Sequence, residues 1–472
     1  MIAASLPSAP VLAAACVGAL VVVAALALLM RGDARVFPVL AVLALPFRLP
    51  ISTDGRTVNL LLPLYAVVAA GTLVHLLPRF LPERTGEVAS GLRANVYVRR
   101  RPPIALDWLL LAAVVLYALQ AGYSADVGKA AENLAFFYMP FGLLYLLLRD
   151  APWTRQLLLT CLGVAAGLAV LFASVGFVEY YRKALFLNPK VLAANEYDNY
   201  FRVNSLFFDP SIYGRFLALV MIAVTTVVLW ARRRREQLIG AAVLAWLLLG
   251  LITSFSQSSI AALLLGLAVL AAWRWDVRST ICVALALAAI ALVVVVVAPP
   301  SLHFGLKGSG GSANNATGGR AKLVSGGLKL FAERPLQGFG SGSFETEYKR
   351  HGGGSAQNAT SASHTIPITV AAEQGIVGLA LYVALVVEAL LTLFRGAGRS
   401  PPSPKPGDTR LRRASPFRPA LSACFAALVL HTWVYADFLE DPMTWTLLGV
   451  GVALSFMRAP APAEDELACA TT

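Results

Sequence analysis

The stretch VLAAACVGALVVVAALALLM, from Val11 to Met30, contains no charged residue. As an α-helix it is about 30 Å long, which is the thickness of the hydrocarbon core of a bilayer. No basic residue precedes it, and it is longer than the apolar core of a secretory signal peptide. It therefore predicts a retained membrane-spanning helix.

Comparable runs recur along all 472 residues, of which 58% are hydrophobic and 14% are charged. Soluble domains average about 45–50% apolar residues. We therefore predict an all-α polytopic membrane protein with about 12–13 transmembrane helices. We expect one membrane domain at residues 1–458, followed by a disordered tail at 459–472. The predicted spans are 11–30, 36–48, 58–78, 104–122, 130–148, 154–180, 206–230, 237–252, 256–273, 279–298, 365–394, 419–437 and 442–458.

The net charge of +13 is concentrated in short loops between these spans. Such charge could indicate nucleic-acid binding, but Arg and Lys in short loops orient membrane proteins by the positive-inside rule. We expect the basic loops, including 79–103 and 395–418, on the cytoplasmic side of a bacterial inner membrane. The extracytoplasmic face then carries the loops near 121–129, 181–205, 299–364 and 438–441. The long loop 299–364 is expected to contain part of an active site.

The sequence gives little support for a metal site. Its five cysteines form no pair at metal-ligand or redox spacing. No two histidines have helical ligand spacing beside a carboxylate, and no Asp-x-Asp pair lies on the extracytoplasmic loops. We predict neither a metal nor a cofactor. Clustered arginines can neutralise an anionic ligand instead.

Two arginines flank a predicted helix start at the extracytoplasmic surface. Asp209 is suited to cap a helix whose first turn contains Pro210. Arg202 precedes this start, and Arg215 lies about 7.5 Å into the helix, at 1.5 Å per residue. A charge at that depth is costly unless it is used or paired. Arg215 is therefore either a ligand-binding residue, the partner of a nearby carboxylate, or a side chain that reaches back to the interface.

A second group of candidates lies on the long loop and at its end. Arg320, Lys322 and Lys329 are either anion ligands or solvated charges. His364 precedes a sequence suited to start a helix, with Thr365 as its cap, and free amides at a helix start favour a phosphate. Two other histidines lie near or within apolar runs, and we interpret them as packed or interfacial side chains. They are His75 and His431.

The residues around His364 resemble the long-loop motif of bacterial O-antigen ligases and related polymerases. The resemblance covers about residues 200–455. The matching elements are His364-Thr365, Gly375 with Gly378, residues 320–348, and the closing Asp437-Phe438-Leu439-Glu440-Asp441-Pro442.

This resemblance implies a glycosyltransferase-C-like fold and an enzyme of polysaccharide biosynthesis in the cell envelope. Such enzymes move a glycan from an undecaprenyl diphosphate carrier to an acceptor hydroxyl without a metal. The implied site residues are the catalytic His364, the diphosphate-binding Arg202, Arg215 and Arg320, and the secondary candidates Tyr200, Lys322, Thr365 and Glu373.

Two positions depart from the family pattern. Thr365 follows the histidine where the family usually has Asn, Ser or Gln, and it keeps a hydroxyl. Gln257 stands where the family often has an arginine, which puts one expected phosphate contact in question.

A sugar hydroxyl is too weak an acid to attack unaided, so we assign His364 as general base, since a histidine has an ordinary pKa near 6.5. A single displacement inverts the anomeric centre, and arginines stabilise the departing diphosphate. The acceptor is a glycan, a glycolipid or a protein, so a ligase, a polymerase and a protein oligosaccharyltransferase all remain open. A transporter of lipid-linked glycans is the alternative of another class, but the sequence shows no convincing internal repeat.

Overall fold

The computed structural model describes most of the predicted membrane domain. The described residues are 9–53, 56–79, 101–186, 201–275, 278, 320–352, 365–395 and 416–456. The predicted span 279–298, the tail 459–472, parts of the loop 299–364 and most of the loops 79–103 and 395–418 lie outside these ranges.

Helices make up nearly all of the regular structure in these ranges. They are α1 (Ala9–Gly32), α2 (Val36–Ala44), α3 (Leu62–Gly71), α4 (Ala105–Ala121), α5 (Val127–Asn133), α6 (Met139–Asp150), α7 (Arg155–Arg182), α8 (Pro210–Trp230), α9 (Arg234–Thr253), α10 (Gln257–Arg274), α11 (Arg320–Glu333), α12 (Phe344–Arg350), α13 (Ile366–Phe394), α14 (Phe417–Val434) and α15 (Pro442–Ser455). A π-helical turn, Leu134–Tyr138, joins α5 to α6. Within the described part of the chain, the strands are β1 (Leu49–Thr53) and β2 (Arg56–Leu60).

Seven of the described helical segments are long and apolar enough to cross a membrane. They are Val127–Asp150, Arg155–Arg182, Pro210–Trp230, Arg234–Thr253, Gln257–Arg274, Ile366–Phe394 and Phe417–Val434. The shorter apolar helices are Cys16–Gly32, Leu62–Leu76, Ala105–Ala121 and Pro442–Ser455. The prediction of an all-α polytopic membrane protein is confirmed.

The segment predicted as the span 36–48 differs from that expectation. Its helix ends at Ala44, and the chain continues into the antiparallel hairpin β1–β2. Pro46 and Pro50 lack the amide hydrogens that would extend the helix. The sequence Asp54-Gly55 between the strands is a strong hairpin turn signal that our sequence analysis missed.

Two hydrophobic cores share one helix. The first core is built mainly from α1 to α6, α13 and α15, and the second from α7 to α10. Helix α14 contributes Phe425 to the first core and Ala427 and Leu428 to the second. Because both cores hold α14, the turn that follows it has a fixed position relative to each.

Helix α13 is broken at Gly375, where φ is 65° and ψ is −162°. The segment 335–340 lies against this break and satisfies its backbone groups. The bonds run from Phe339 N to Ala372 O (3.2 Å), from Gly340 N to Glu373 O (2.8 Å) and from Ile376 N to Pro335 O (2.8 Å). A glycine is needed because this backbone conformation is open almost only to glycine. A Cβ would also overlap the carbonyl of Leu336.

Replacing Gly375 with Ala should therefore lower the free energy of unfolding by about 2–4 kcal/mol, from backbone strain together with steric overlap. The matched control is Gly167→Ala in α7, where nothing lies within 4 Å of the added methyl group. Unfolding of both variants in detergent micelles would measure the difference. Equal stability of the two variants would contradict the assigned role of Gly375.

Candidate functional site

Polar loops gather at one end of the helix bundle, which we call the site end. It is formed by residues 122–126, 201–209, 254–256, 335–343 and 435–441. Two hydrogen bonds connect pairs of these loops, from Arg202 Nε to Ser254 O (3.3 Å) and from Ser124 Oγ to Ser341 O (2.7 Å). A third, from Arg215 Nη1 to Ala436 O (3.3 Å), connects α8 to the turn 435–441.

Three of the four strained non-glycine residues in the described part of the chain lie at the same end, and the fourth, Lys183, caps the end of α7. In the described part of the chain, the non-glycine residues with positive φ are Lys183, Ser205, Phe255 and Asp437, with values from 49° to 69°. Such conformations cost about 1–3 kcal/mol each and persist where the surroundings enforce them, often at functional sites. The strain supports a functional role for the site end.

Arg215 and Asp441 form a buried ion pair at the centre of the site end. Asp209 caps α8, as predicted, by accepting hydrogen bonds from Ser211 N (2.6 Å) and Ile212 N (3.4 Å). Arg215 follows in the second turn and is only 1% exposed. Its Nη2 lies 2.5 Å from Oδ2 of Asp441. The carboxylate pairing that the sequence left open for Arg215 is therefore present.

The turn between α14 and α15 supplies this carboxylate. Asp441 also caps α15, because its Oδ1 accepts a hydrogen bond from Met443 N at 2.9 Å. Two carbonyls of the turn are satisfied by side chains of α15, with Thr444 Oγ1 donating to Phe438 O (2.6 Å) and Trp445 Nε1 donating to Leu439 O (2.8 Å). These bonds hold the backbone of the turn, from which its three acidic side chains project.

Glu440 faces the other side of the turn. Asn133 Nδ2 donates to Glu440 Oε1 at 2.9 Å and also lies 2.9 Å from the hydroxyl of Tyr117. Burial, together with the negative charge of Asp437, raises the pKa of Glu440 to about 7, while the positive charge of Lys129 opposes this shift. We quoted Glu440 only as part of the closing motif. Its partner Asn133 lies far away in sequence, so no local pattern indicated its environment.

Glu373, a secondary candidate, holds the glycine-rich segment 338–344 in place through two hydrogen bonds. Its Oε1 accepts a hydrogen bond from Phe344 N at 3.0 Å and its Oε2 accepts one from Gly342 N at 2.9 Å. The residue is 7% exposed. Its described contacts therefore attach the loop lead-in to α13.

The structure describes some of the remaining predicted site residues but not others. Arg202 is half-buried at the site end, and Lys322 is exposed on α11. Thr365 occupies the N-cap position of α13, but its side chain makes no capping hydrogen bond, in contrast to the prediction. Its carbonyl instead accepts hydrogen bonds from the amides of the first turn. His364, Tyr200 and the side chain of Arg320 lie outside the described residues.

His431 is fully buried, as its apolar surroundings in sequence predict. Its Nε2 lies 3.3 Å from Ser258 Oγ and 3.2 Å from Ser259 Oγ. Ser256 Oγ lies 2.7 Å from Ser259 Oγ and extends this network toward the site end. Within the described ranges, no three His, Cys, Asp or Glu side chains are grouped so as to hold a metal ion.

Removing the charge of Asp441 should expose the cost of burying Arg215. Asp441→Asn keeps a good helix cap. It leaves the guanidinium without its carboxylate, so we expect a loss of about 3–5 kcal/mol in unfolding free energy. The double variant Arg215→Met/Asp441→Asn should recover most of this loss. The control Lys349→Ala breaks an exposed pair and should cost less than about 1 kcal/mol. Unfolding in micelles measures all three, and a mild effect of Asp441→Asn alone would refute a tight pair.

Glu440 should make stability depend on pH. Its ordinary pKa of 4.5 rises to about 7 on folding. The folded state therefore gains stability from this proton below pH 4.5 and loses it as pH rises through 7. Glu440→Gln cannot titrate, so the Tm of the wild type relative to this variant should fall between about pH 5 and pH 8. Glu345→Gln on the exposed face of α12 is the control. A flat difference for Glu440→Gln would contradict the assigned environment.

Residues 242–383 match a family model described as O-antigen ligase. The matched stretch runs from α9 through the glycine-rich segment and past the break in α13, and it includes His364 and Glu373. Arg202, Arg215 and Asp441 lie outside it. None of the curated proteins compared with the chain matches it. The match confirms the resemblance drawn from the sequence: the chain is a multi-pass membrane protein that contains, at residues 242–383, a stretch matching the O-antigen ligase family.

Proposed function

We propose that the protein transfers a glycan from an undecaprenyl diphosphate donor to an acceptor hydroxyl at the extracytoplasmic face. The family match supports a glycosyltransferase or ligase type of enzyme. The observation that carries the finer proposal is the contact between Arg202 and Ser254. This hydrogen bond joins Arg202, which lies outside the matched stretch, to Ser254, which lies near the beginning of that stretch. Both residues belong to the site end.

The distribution of charge supports an extracytoplasmic site. Helix α9 begins at Arg234, next to the basic cluster 232–235, and ends at Thr253. The carbonyl of Thr253 accepts a hydrogen bond from Val203 N at 3.2 Å, so the site end lies opposite this cluster. Under the positive-inside rule the basic cluster faces the cytoplasm and the site end faces outward.

The proposed chemistry is a single displacement without a metal. The acceptor oxygen attacks the anomeric carbon, the bond from that carbon to the diphosphate oxygen breaks, and its electron pair leaves with the diphosphate. His364 takes the acceptor proton. Arg202, Arg215 and Arg320 bind the diphosphate and stabilise its developing charge. Arg215 acts with Asp441 as its fixed partner, and inversion at the anomeric carbon follows.

The described part of α13 supports the position given to His364. Thr365 directly follows this histidine, and Ile366 and Val370 on the same helical turns pack against the first core. The break at Gly375 separates this first part of α13 from the rest of the helix. The helix that follows His364 in the sequence therefore begins with a packed turn. Ligation, polymerisation and transfer to a protein share this donor site and differ in the acceptor hydroxyl.

The test is replacement of His364 by Ala in the native host, with confirmation that the protein reaches the membrane. We expect diphosphate-linked glycan to accumulate on the outer leaflet while the mature surface glycan disappears. Arg202→Ala should lower the transfer rate by about 100- to 1,000-fold, as for loss of one positioned donor.

The matched control is His351→Ala, a half-exposed histidine of the same long loop that contacts Glu333 at 3.0 Å. This variant should make normal surface glycan. Normal surface glycan in the His364→Ala variant would show that His364 is not the general base. Accumulation of the lipid-linked glycan on the cytoplasmic leaflet would indicate a transporter instead.

A further inference from the structure

A second arginine approaches Asp441 from outside the family-matched stretch. Arg48 lies between α2 and β1, in the part of the chain that the sequence analysis assigned to a span. Its side chain is 9% exposed, and its Nη2 lies 4.0 Å from Oδ1 of Asp441. Arg215 contacts the other carboxylate oxygen, Oδ2. Two guanidiniums therefore converge on one buried carboxylate.

The contacts of Arg48 are much weaker than those of Arg215. A distance of 4.0 Å is an ion contact but too long for a hydrogen bond. The Nε of Arg48 is buried and has no hydrogen-bond partner within the described residues, and the same holds for Nε and Nη2 of Arg215. A buried donor without an acceptor is costly. A ligand with several acceptor oxygens would satisfy this guanidinium, which has five donors in a planar fork.

The surroundings of Arg48 place its charge against apolar side chains, in a cleft with room for about one water molecule. Arg48 and Asp441 form the polar part of a narrow cleft. The rest of its wall is apolar and consists of Leu45, Pro46, Phe207, Ile212, Phe216 and Met443. A charge against an apolar wall acts in a low dielectric, where its attraction for an anion is stronger than in water.

Three acidic side chains lie near the two arginines of this cluster, and Arg48 makes no ion contact with them closer than 4.0 Å. Asp441 is engaged by Arg215 at 2.5 Å. Asp437 lies 4.0 Å from Arg215 and is 26% exposed, so solvent screens it. Glu440 is also close enough to Arg48 for the positive charge of this arginine to oppose the rise in the pKa of Glu440. Of the two guanidiniums, Arg48 is the one that is not held in a close pair.

We propose that Arg48 is a further binding residue for the diphosphate of the lipid-linked donor, acting beside Arg215 across Asp441. This inference rests on the proposed function, because it assumes that the donor carries a diphosphate. Asp441 keeps Arg215 in place, and Arg48 turns its donors toward the phosphate oxygens.

The experiment measures binding of undecaprenyl diphosphate to the full-length protein in nanodiscs. Arg48→Gln should weaken binding by about 10- to 100-fold, as for loss of charge-assisted hydrogen bonds. Arg48→Lys keeps a positive charge near Asp441 but loses the planar pair of donors. It should retain the wild-type Tm and still bind about tenfold more weakly. The control is Arg35→Gln, an exposed arginine just before α2, which should bind like the wild type.

Uncharged undecaprenol separates the headgroup from the chain. Its binding should be equal in the wild type and both Arg48 variants, because the proposed contact is with phosphate. Inorganic pyrophosphate should displace undecaprenyl diphosphate from the wild type at lower concentration than from Arg48→Gln. If undecaprenol binding falls as much as undecaprenyl diphosphate binding, Arg48 supports the fold and the proposal is overturned.

The two proposals fail in different ways. If undecaprenyl diphosphate binds the wild type and loses affinity in Arg202→Ala, but not in either Arg48 variant, the donor site stands and the role of Arg48 is refuted. If the wild type does not bind undecaprenyl diphosphate, the proposed function itself fails.

Discussion

The carboxylate of Asp441 is the constraint on which the site end depends. It caps α15, pairs with Arg215 and faces Arg48, so it connects three separate parts of the chain. Burying charged groups has a large desolvation cost, and only close and well-positioned partners offset it. The start of α8, the turn after α14 and the segment before β1 must therefore all keep their positions. Because α8 belongs to the second core and α15 to the first, this ion pair also joins the two cores.

The break in α13 is the second constraint, and it attaches the long loop to the bundle. A helix interrupted in a membrane protein leaves backbone groups that need partners. The segment 335–340 provides them, and Glu373 holds the following turn through the amides of Gly342 and Phe344. The family motif around Gly375 therefore has a backbone explanation as well as a catalytic one. Its glycine permits the break, and the lead-in sequence fills it.

Most features that follow from local sequence were predicted, although the hairpin at Asp54-Gly55 was missed and Thr365 makes no capping hydrogen bond. Features that depend on distant partners were not predicted. Apolar runs identified the long helices because the length and composition of each run are enough to predict that it spans a membrane. Asp209 was recognised as a cap because its partners are two and three residues away. The acidic partner of Arg215 lies far along the chain, so the sequence could offer pairing only as one alternative. Gly375 was identified only through the family resemblance. Its positive φ could not be predicted, because the sequence around a glycine does not show which φ it adopts.

Arg48 shows that sequence motifs alone can miss a residue that contributes to a site. Its local sequence, Pro46-Phe47-Arg48-Leu49-Pro50, looks like the end of a membrane span followed by a polar anchor. In the structure the hairpin β1–β2 follows Arg48 directly. A charge that terminates a span in sequence then becomes a buried neighbour of Asp441. The close pair with Asp441 fixes the position of Arg215, whereas the longer contact of Arg48 leaves its donors able to turn toward a ligand. A site that holds one of each combines fixed geometry with an attraction for anions, and preorganised charge of this kind is what stabilises a departing diphosphate.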